Sequence, residues 1–380
     1  MSVSPSPPRL RSLDAFRGFV MLCLATNACG VRSVPRDTFE SGIWTALWDA
    51  ARHSSWVGMT AWDLVQPAFI FMVGLALPYS LAARTARGDS RSNQVWHAFR
   101  RALVLVLLGV FLASNGSART EFVFDNVLAQ IGLAYPVVFA ALLLPWRWQV
   151  VLVATVLLAT FGAFAAYPVP VDGAAEAPLE GFFAHWNPHS NAAAAFDRVF
   201  LNLFPRAEPL AETEGGYQTL SFVPSIANMF AGVWVAAWLR QARASGVPAA
   251  RGLVVAGLVV VALGVAVSFA CPVVKRVWTP SFALLSSGVT VLVFAVFYWL
   301  IDVRGVDVLA SAFVDMGVNS LAVYLLIELA RPWIEASVFT HVAWWFMPVR
   351  ILPAVASCVA GAALWGLARW MRKNKVFLRI

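Results

Sequence analysis

Long apolar runs broken by short polar stretches recur along the whole chain. A run of about 20 apolar residues crosses a hydrocarbon core of about 30 Å as a helix. The spacing of the polar breaks predicts ten spans, at 13–31, 62–84, 98–114, 126–145, 148–167, 218–240, 252–271, 279–301, 308–328 and 350–370. The stretch 332–347, "PWIEASVFTHVAWWFM", is apolar but too short to cross, and it carries Glu335 and His341. It reads as an interfacial or re-entrant segment. The expected fold class is all-α: one polytopic membrane bundle of about ten transmembrane helices over residues 1–380, with a single large loop at 168–217. That loop is rich in aromatics and proline, which predicts a packed lid rather than a loose linker.

Composition agrees with the pattern. Only 13% of residues are charged and 60% are hydrophobic, against roughly 25% charged in a soluble domain. The net charge of +8 therefore reads as topology rather than as affinity for nucleic acid, because Lys and Arg concentrate on the cytoplasmic side of a membrane protein. With the amino terminus inside, 18 of the 28 basic residues fall on the inner side. The loop "ARTARGDSRSNQVWHAFRR" and the tail "RWMRKNKVFLRI" decide the orientation. Both termini are then expected to be cytoplasmic, and the loops at 32–61 and 168–217 extracytoplasmic. Asp14 and Arg17 interrupt the first apolar run, so it reads as a retained helix rather than a cleaved signal peptide. The four cysteines have no metal-ligand spacing, and a disulfide between Cys29 and Cys271 is left open.

Polar side chains inside a membrane span are costly and call for a reason. Asp14 and Arg17 stand at i and i+3, where they bridge one another or bind an anion arriving from the cytoplasm. Asn27, near the far end of the same span, bonds a neighbouring helix or donates to a developing oxyanion. His53 follows, then Trp56, Trp62 and Asp63, in "ARHSSWVGMTAWD". Tryptophans at this depth are ordinary interface anchors, but histidine is the side chain suited to proton transfer near neutral pH. Asp63 either orients that imidazole or caps the helix that follows. In "DMGVNSLAVYLLIE", Asp315, Asn319 and Ser320 share a stripe that either packs helices together or lines a cavity.

Other chemistries lack support. His97, His185, His189 and His341 are scattered, and the proline within "HWNPHS" spoils the helical zinc spacing, so no metal site is expected. There is no G-x-S-x-G, no P-loop and no G-x-G-x-x-G.

"RLRSLDAFRGFVMLCLATN", followed by "HSSWVGMTAWDLVQPAFIFMVG", resembles the membrane family of heparan-alpha-glucosaminide N-acetyltransferase and its bacterial relatives; "GGYQTLSFVPSIANMFAG" and "GVNSLAVYLLIE" also resemble it. The resemblance implies an acyltransferase that takes acetyl from cytoplasmic acetyl-CoA and delivers it to an amino sugar or other glycan on the opposite side. It implies catalytic roles for His53, Asn27 and Asp63. Donor-binding candidates are Asp14, Arg17, Arg84, Arg100 and Arg101, with Asn319 and Ser320 lining the path. An extended pantetheine arm of roughly 15–20 Å covers much of the bilayer core. The expected partners are acetyl-CoA, an extracytoplasmic glycan acceptor, membrane lipid and a second copy of the chain, with no metal; the expected location is a bacterial-type inner membrane. Two places depart from the family pattern: Gln130 stands where the family carries arginine, and "GGYQTLSF" replaces an acidic stretch. A transporter of a small polar or sugar-like solute is the rival reading, with the polar stripes as its permeation path.

Overall fold

The computed structural model of the chain describes residues 10–169, 178–346 and 350–378. It is built from helices: α1 (Arg11–Ala25), α2 (Gly42–Ala50), α3 (Val65–Ala86), α4 (Arg91–Ala113), α5 (Val127–Ala141), α6 (Trp146–Ala165), α7 (Ala192–Phe200), α8 (Phe222–Ser245), α9 (Ala249–Ser268), α10 (Pro280–Tyr298), α11 (Asp307–Gly317), α12 (Ser320–Phe346) and α13 (Leu352–Lys373). Among the described residues no strand forms beyond an isolated bridge between Val57 and Val274.

Seven helices among the described residues are long and apolar enough to cross a membrane, and an eighth span results if α11 and α12 are counted as one element bent by 77°. The difference from ten expected spans has a simple source. α1 and α5 occupy the first and fourth expected spans but hold 15 residues each, about 22 Å of helix at 1.5 Å per residue. That falls short of a 30 Å core. The segment 332–346 is also not a separate element; it is the second half of the 27-residue α12. The expected span at 308–328 breaks instead at Gly317–Asn319, and residue 347 lies outside the described residues.

The chain divides into two compact units. The first contains residues 1–53, 60–65 and 293–379. Here α1 packs on α11 through two reciprocal glycines. A Cβ on Gly18 would sit 1.7 Å from the carbonyl oxygen of Phe313, and one on Gly317 would sit 1.7 Å from that of Asp14. Such small residues let helices approach closely where lipid removes the hydrophobic drive. Phe16 and Phe19 fill the same seam, their rings 5.3 and 5.4 Å from Phe297. At the break between α11 and α12, buried Asp315 meets Arg372 of α13 at 2.5 Å. Asn319 accepts from the backbone N–H of Leu378 and donates to the carbonyl of Val376, both at 3.1 Å.

The second unit contains residues 54–59 and 66–292. α8 runs through its centre, and Gly74 and Gly232 bring α3 and α8 into backbone contact at Met229 and Phe71. Asn228, fully buried on α8, donates to Ser286 and Ser287 of α10 at 3.0 and 2.9 Å and accepts from the Trp278 indole at 2.9 Å. Gln66 donates to Gln130 at 2.7 Å, and Gln130 donates in turn to Ser221. These amides all find partners, as membrane-embedded polar groups must. Residues 170–177 of the long loop lie outside the described residues; the rest carries its own small core. Trp186 is fully buried against Phe161 and Phe164, and its carbonyl accepts from the Trp56 indole at 2.9 Å. All four cysteines are free thiols.

Candidate functional site

His53 follows α2 and stands three residues beyond that helix's last residue, Ala50. The cap at the start of α3 holds its partner. In "TAWD", Thr60 and Asp63 form a capping box. The Asp63 carboxylate Oδ2 accepts from the Thr60 backbone N–H at 3.0 Å, and the Asp63 N–H reaches back to the Thr60 hydroxyl at 3.4 Å. This spacing of hydroxyl and acid before an apolar run is a helix-start signature, and it was there to be read. The Thr60 hydroxyl also donates to the carbonyl of Arg52 at 2.5 Å, which ties the chain just before His53 to the same cap.

With Oδ2 occupied by the backbone, Oδ1 of Asp63 lies 2.7 Å from Nδ1 of His53. The carboxylate has no exposed surface, whereas about a third of the imidazole side chain is exposed. One carboxylate therefore does both things the sequence allowed: it caps the helix and holds the ring. A carboxylate accepts only, so Nδ1 carries the proton and Nε2 is the basic nitrogen of the neutral imidazole. The Trp62 ring lies beside His53, its centroid 6.5 Å away. On Trp62 rests the guanidinium of Arg32, at 4.4 Å. Neither Arg32 nor Thr60 stands out in the sequence as chemistry; the first is reached only through the fold.

Asn27 sits two residues past the last residue of α1, Ala25, and its side-chain N–H donates to Ser33 at 2.7 Å. Asp14 and Arg17, on the first turns of α1, are 3.9 Å apart, with Asp14 buried. Asn319 commits its amide to the backbone of residues 376 and 378, as described above, and Ser320 opens α12 half-buried. These residues all belong to the first unit.

Arg84, Arg100 and Arg101 belong to the second unit, where all three lie within electrostatic range of His97. Arg84 pairs with Asp89 at 3.4 Å. Arg101 lies over the Tyr135 ring at 5.0 Å, and its buried Nε has no hydrogen-bond partner. All three cations therefore act on the same histidine, and a positive field of this kind attracts phosphate. Among the described residues no group of His, Cys, Asp and Glu has metal-binding geometry.

No family model matches the chain. It is 25% identical to human heparan-alpha-glucosaminide N-acetyltransferase over 371 residues, 85% of this chain and 53% of that protein. The mouse enzyme is 25% identical over 367 residues, with 84% and 53% coverage. The chain spans about half the length of the curated relatives it matches. By these matches, the chain is a distant relative of the heparan-alpha-glucosaminide N-acetyltransferase family, with the long apolar helices of a multi-pass membrane protein.

Proposed function

We propose that this protein is a membrane-bound acyltransferase that moves acetyl from acetyl-CoA on the cytoplasmic side to an amino sugar or other glycan acceptor on the opposite side. The observation that carries the reading is the contact between Nδ1 of His53 and Asp63, in a chain distantly related to an N-acetyltransferase.

The chemistry follows from the ring's polarity. Nε2 takes the proton that the acceptor amine or hydroxyl loses as it attacks the thioester carbonyl. Asp63 stabilises the resulting imidazolium, as the carboxylate of a hydrolase triad does. The tetrahedral intermediate collapses by breaking the carbon–sulfur bond, and the imidazolium returns its proton to the departing CoA thiolate. The acetylated acceptor and free CoA thiol leave, and the histidine is restored. Asn27 is assigned the oxyanion through the second hydrogen of its amide nitrogen, the first being donated to Ser33. Transfer through an acetyl-imidazole would use the same nitrogen; acetyl-enzyme accumulating in the absence of acceptor distinguishes that route from direct attack. The positive charge of Arg84, Arg100 and Arg101 around His97 matches the phosphates of the donor, and Arg17 lies in the stretch "RLRSLDAFRGFVMLCLATN" that resembles the family.

The inner-membrane location, the cytoplasmic termini and a homodimeric state belong to this same reading. Reconstitution into sealed vesicles tests it. Labelled acetyl-CoA supplied on the face of the basic loops should label glucosamine confined to the other face. Label that remains on the donor side, or solute movement without acetylation, would favour a transporter.

A further inference from the structure

Asn27 begins a run of backbone that L-residues avoid. Asn27, Ala28, Cys29 and Gly30 all have positive φ, at 49°, 56°, 55° and 79°, and each non-glycine residue there costs on the order of 1 kcal/mol. Such a turn persists only where its surroundings hold it. One face of α13 does so. A Cβ on Gly30 would meet the Ala354 backbone at 2.6 Å, and one on Gly361 would meet the Thr26 methyl at 2.3 Å. Ser357 lies on that same face, between Ala354 and Gly361 at helical spacing, and is 1% exposed.

Ser357 connects the turn to a carboxylate. Its hydroxyl donates to Oε1 of Glu335 on α12 at 2.9 Å, and lies 2.9 Å from the hydroxyl of Ser33. Ser33 accepts from the Asn27 side-chain N–H at 2.7 Å. Arg331, one turn before Glu335, stands 3.9 Å from the same carboxylate oxygen and donates to the carbonyl of Leu24 in the last turn of α1 at 2.8 Å.

The carboxylate sets the direction of every bond in this chain. It accepts only, so Ser357 must spend its single proton on Glu335. Ser357 then accepts from Ser33, and Ser33, its proton spent, accepts from Asn27. The amide is thereby turned with its nitrogen toward Ser33 and its oxygen away. From this we infer that Glu335 and Ser357 are positioning residues, which fix the orientation of the Asn27 amide through Ser33. The inference rests on the reading of Asn27 as a catalytic residue only for its effect on turnover.

A double-mutant cycle tests it, read both in turnover and in the melting temperature of the solubilised protein. Glu335→Gln is nearly isosteric, yet a glutamine can present an N–H to Ser357 and let the relay run in reverse. It should lower kcat about tenfold and leave KM for acetyl-CoA within about twofold. In an Asn27→Ala background the same substitution should change kcat by less than about twofold, because the amide it orients is gone. Ser33→Thr, which keeps the hydroxyl, should retain most of the activity that Ser33→Ala loses. Equal loss from Glu335→Gln in both backgrounds would overturn the positioning role. The melting-temperature cycle needs no turnover: non-additive shifts for Asn27→Ala and Glu335→Gln support the relay, and additive shifts overturn it. Should the wild type transfer no acetyl to any amino sugar or other glycan acceptor, the enzymatic reading falls and the melting cycle still decides the relay.

Discussion

Nδ1 of His53 lies 2.7 Å from Oδ1 of Asp63, a carboxylate with no exposed surface. The same carboxylate closes the capping box with Thr60, so the group that holds the imidazole is fixed by the start of a long helix.

Replacing that carboxylate separates the two jobs. Asp63→Asn keeps an oxygen for the Thr60 N–H but allows the amide to offer a donor to Nδ1, which favours the wrong tautomer. Turnover should fall by about 10²–10⁴, in line with the corresponding change in triads, while KM for acetyl-CoA stays within about twofold. Steady-state kinetics in detergent provides the check. A rise in KM with unchanged kcat would assign Asp63 to substrate binding instead.

The arginine cluster should act on the donor alone. Arg100→Gln and Arg101→Gln should each raise KM for acetyl-CoA by about tenfold, a change of about 1.4 kcal/mol. Their effect should shrink as salt screens the phosphates. KM measured at low and high ionic strength tests this; an effect independent of salt would point to packing, since Arg101 also lies over Tyr135.

Asp125 gives the fold a pH dependence outside the helices. Burial, and then the neighbouring Asp197, push its carboxyl up to about 6 from the ordinary 3.8. Between those two values the folded protein keeps a proton that the unfolded chain releases, so stability falls as pH rises through this window and levels off above 6. Asp125→Asn removes the penalty. Its melting temperature should exceed that of the wild type at pH 7.5, by the equivalent of about 3 kcal/mol, and match it near pH 4. An equal shift at both pH values would contradict the account.

Gly18 and Gly317 admit no side chain. With a Cβ placed 1.7 Å from a carbonyl oxygen, Gly18→Ala or Gly317→Ala must separate α1 from α11. The cost should exceed about 3 kcal/mol, at the upper end for overpacking. Loss of monodisperse protein on size-exclusion chromatography, with a lowered melting temperature in whatever folds, is the expected outcome.

The apolar runs made the helical membrane fold legible, because hydropathy is local and each span must be apolar on its own account. The breaks were less so. α1 stops at Ala25 because residues 27–30 turn left-handed; Asn27 and Gly30 tolerate that conformation, but Ala28 and Cys29 between them do not announce it, and neighbouring α13 holds the turn. The bend between α11 and α12 is equally tertiary, since Asn319 there binds the backbone of a tail more than 50 residues away. His53 and Asp63 were legible as a pair because ten residues separate them and a capping signal lies between. Glu335 was not: its partner Ser357 is 22 residues away, Ser33, which Ser357 joins to it, is 324 residues from Ser357, and a glutamate in an apolar segment reads first as an interface marker.

Whether His53 is the base is decided by acetyl transfer in the His53→Ala variant. Labelled acetyl-CoA and glucosamine are incubated with wild-type and variant protein that elute alike on size-exclusion chromatography, and donor binding is measured in parallel. The variant should bind acetyl-CoA as the wild type does and transfer no acetyl above background. Turnover by the variant within tenfold of the wild type would contradict that role.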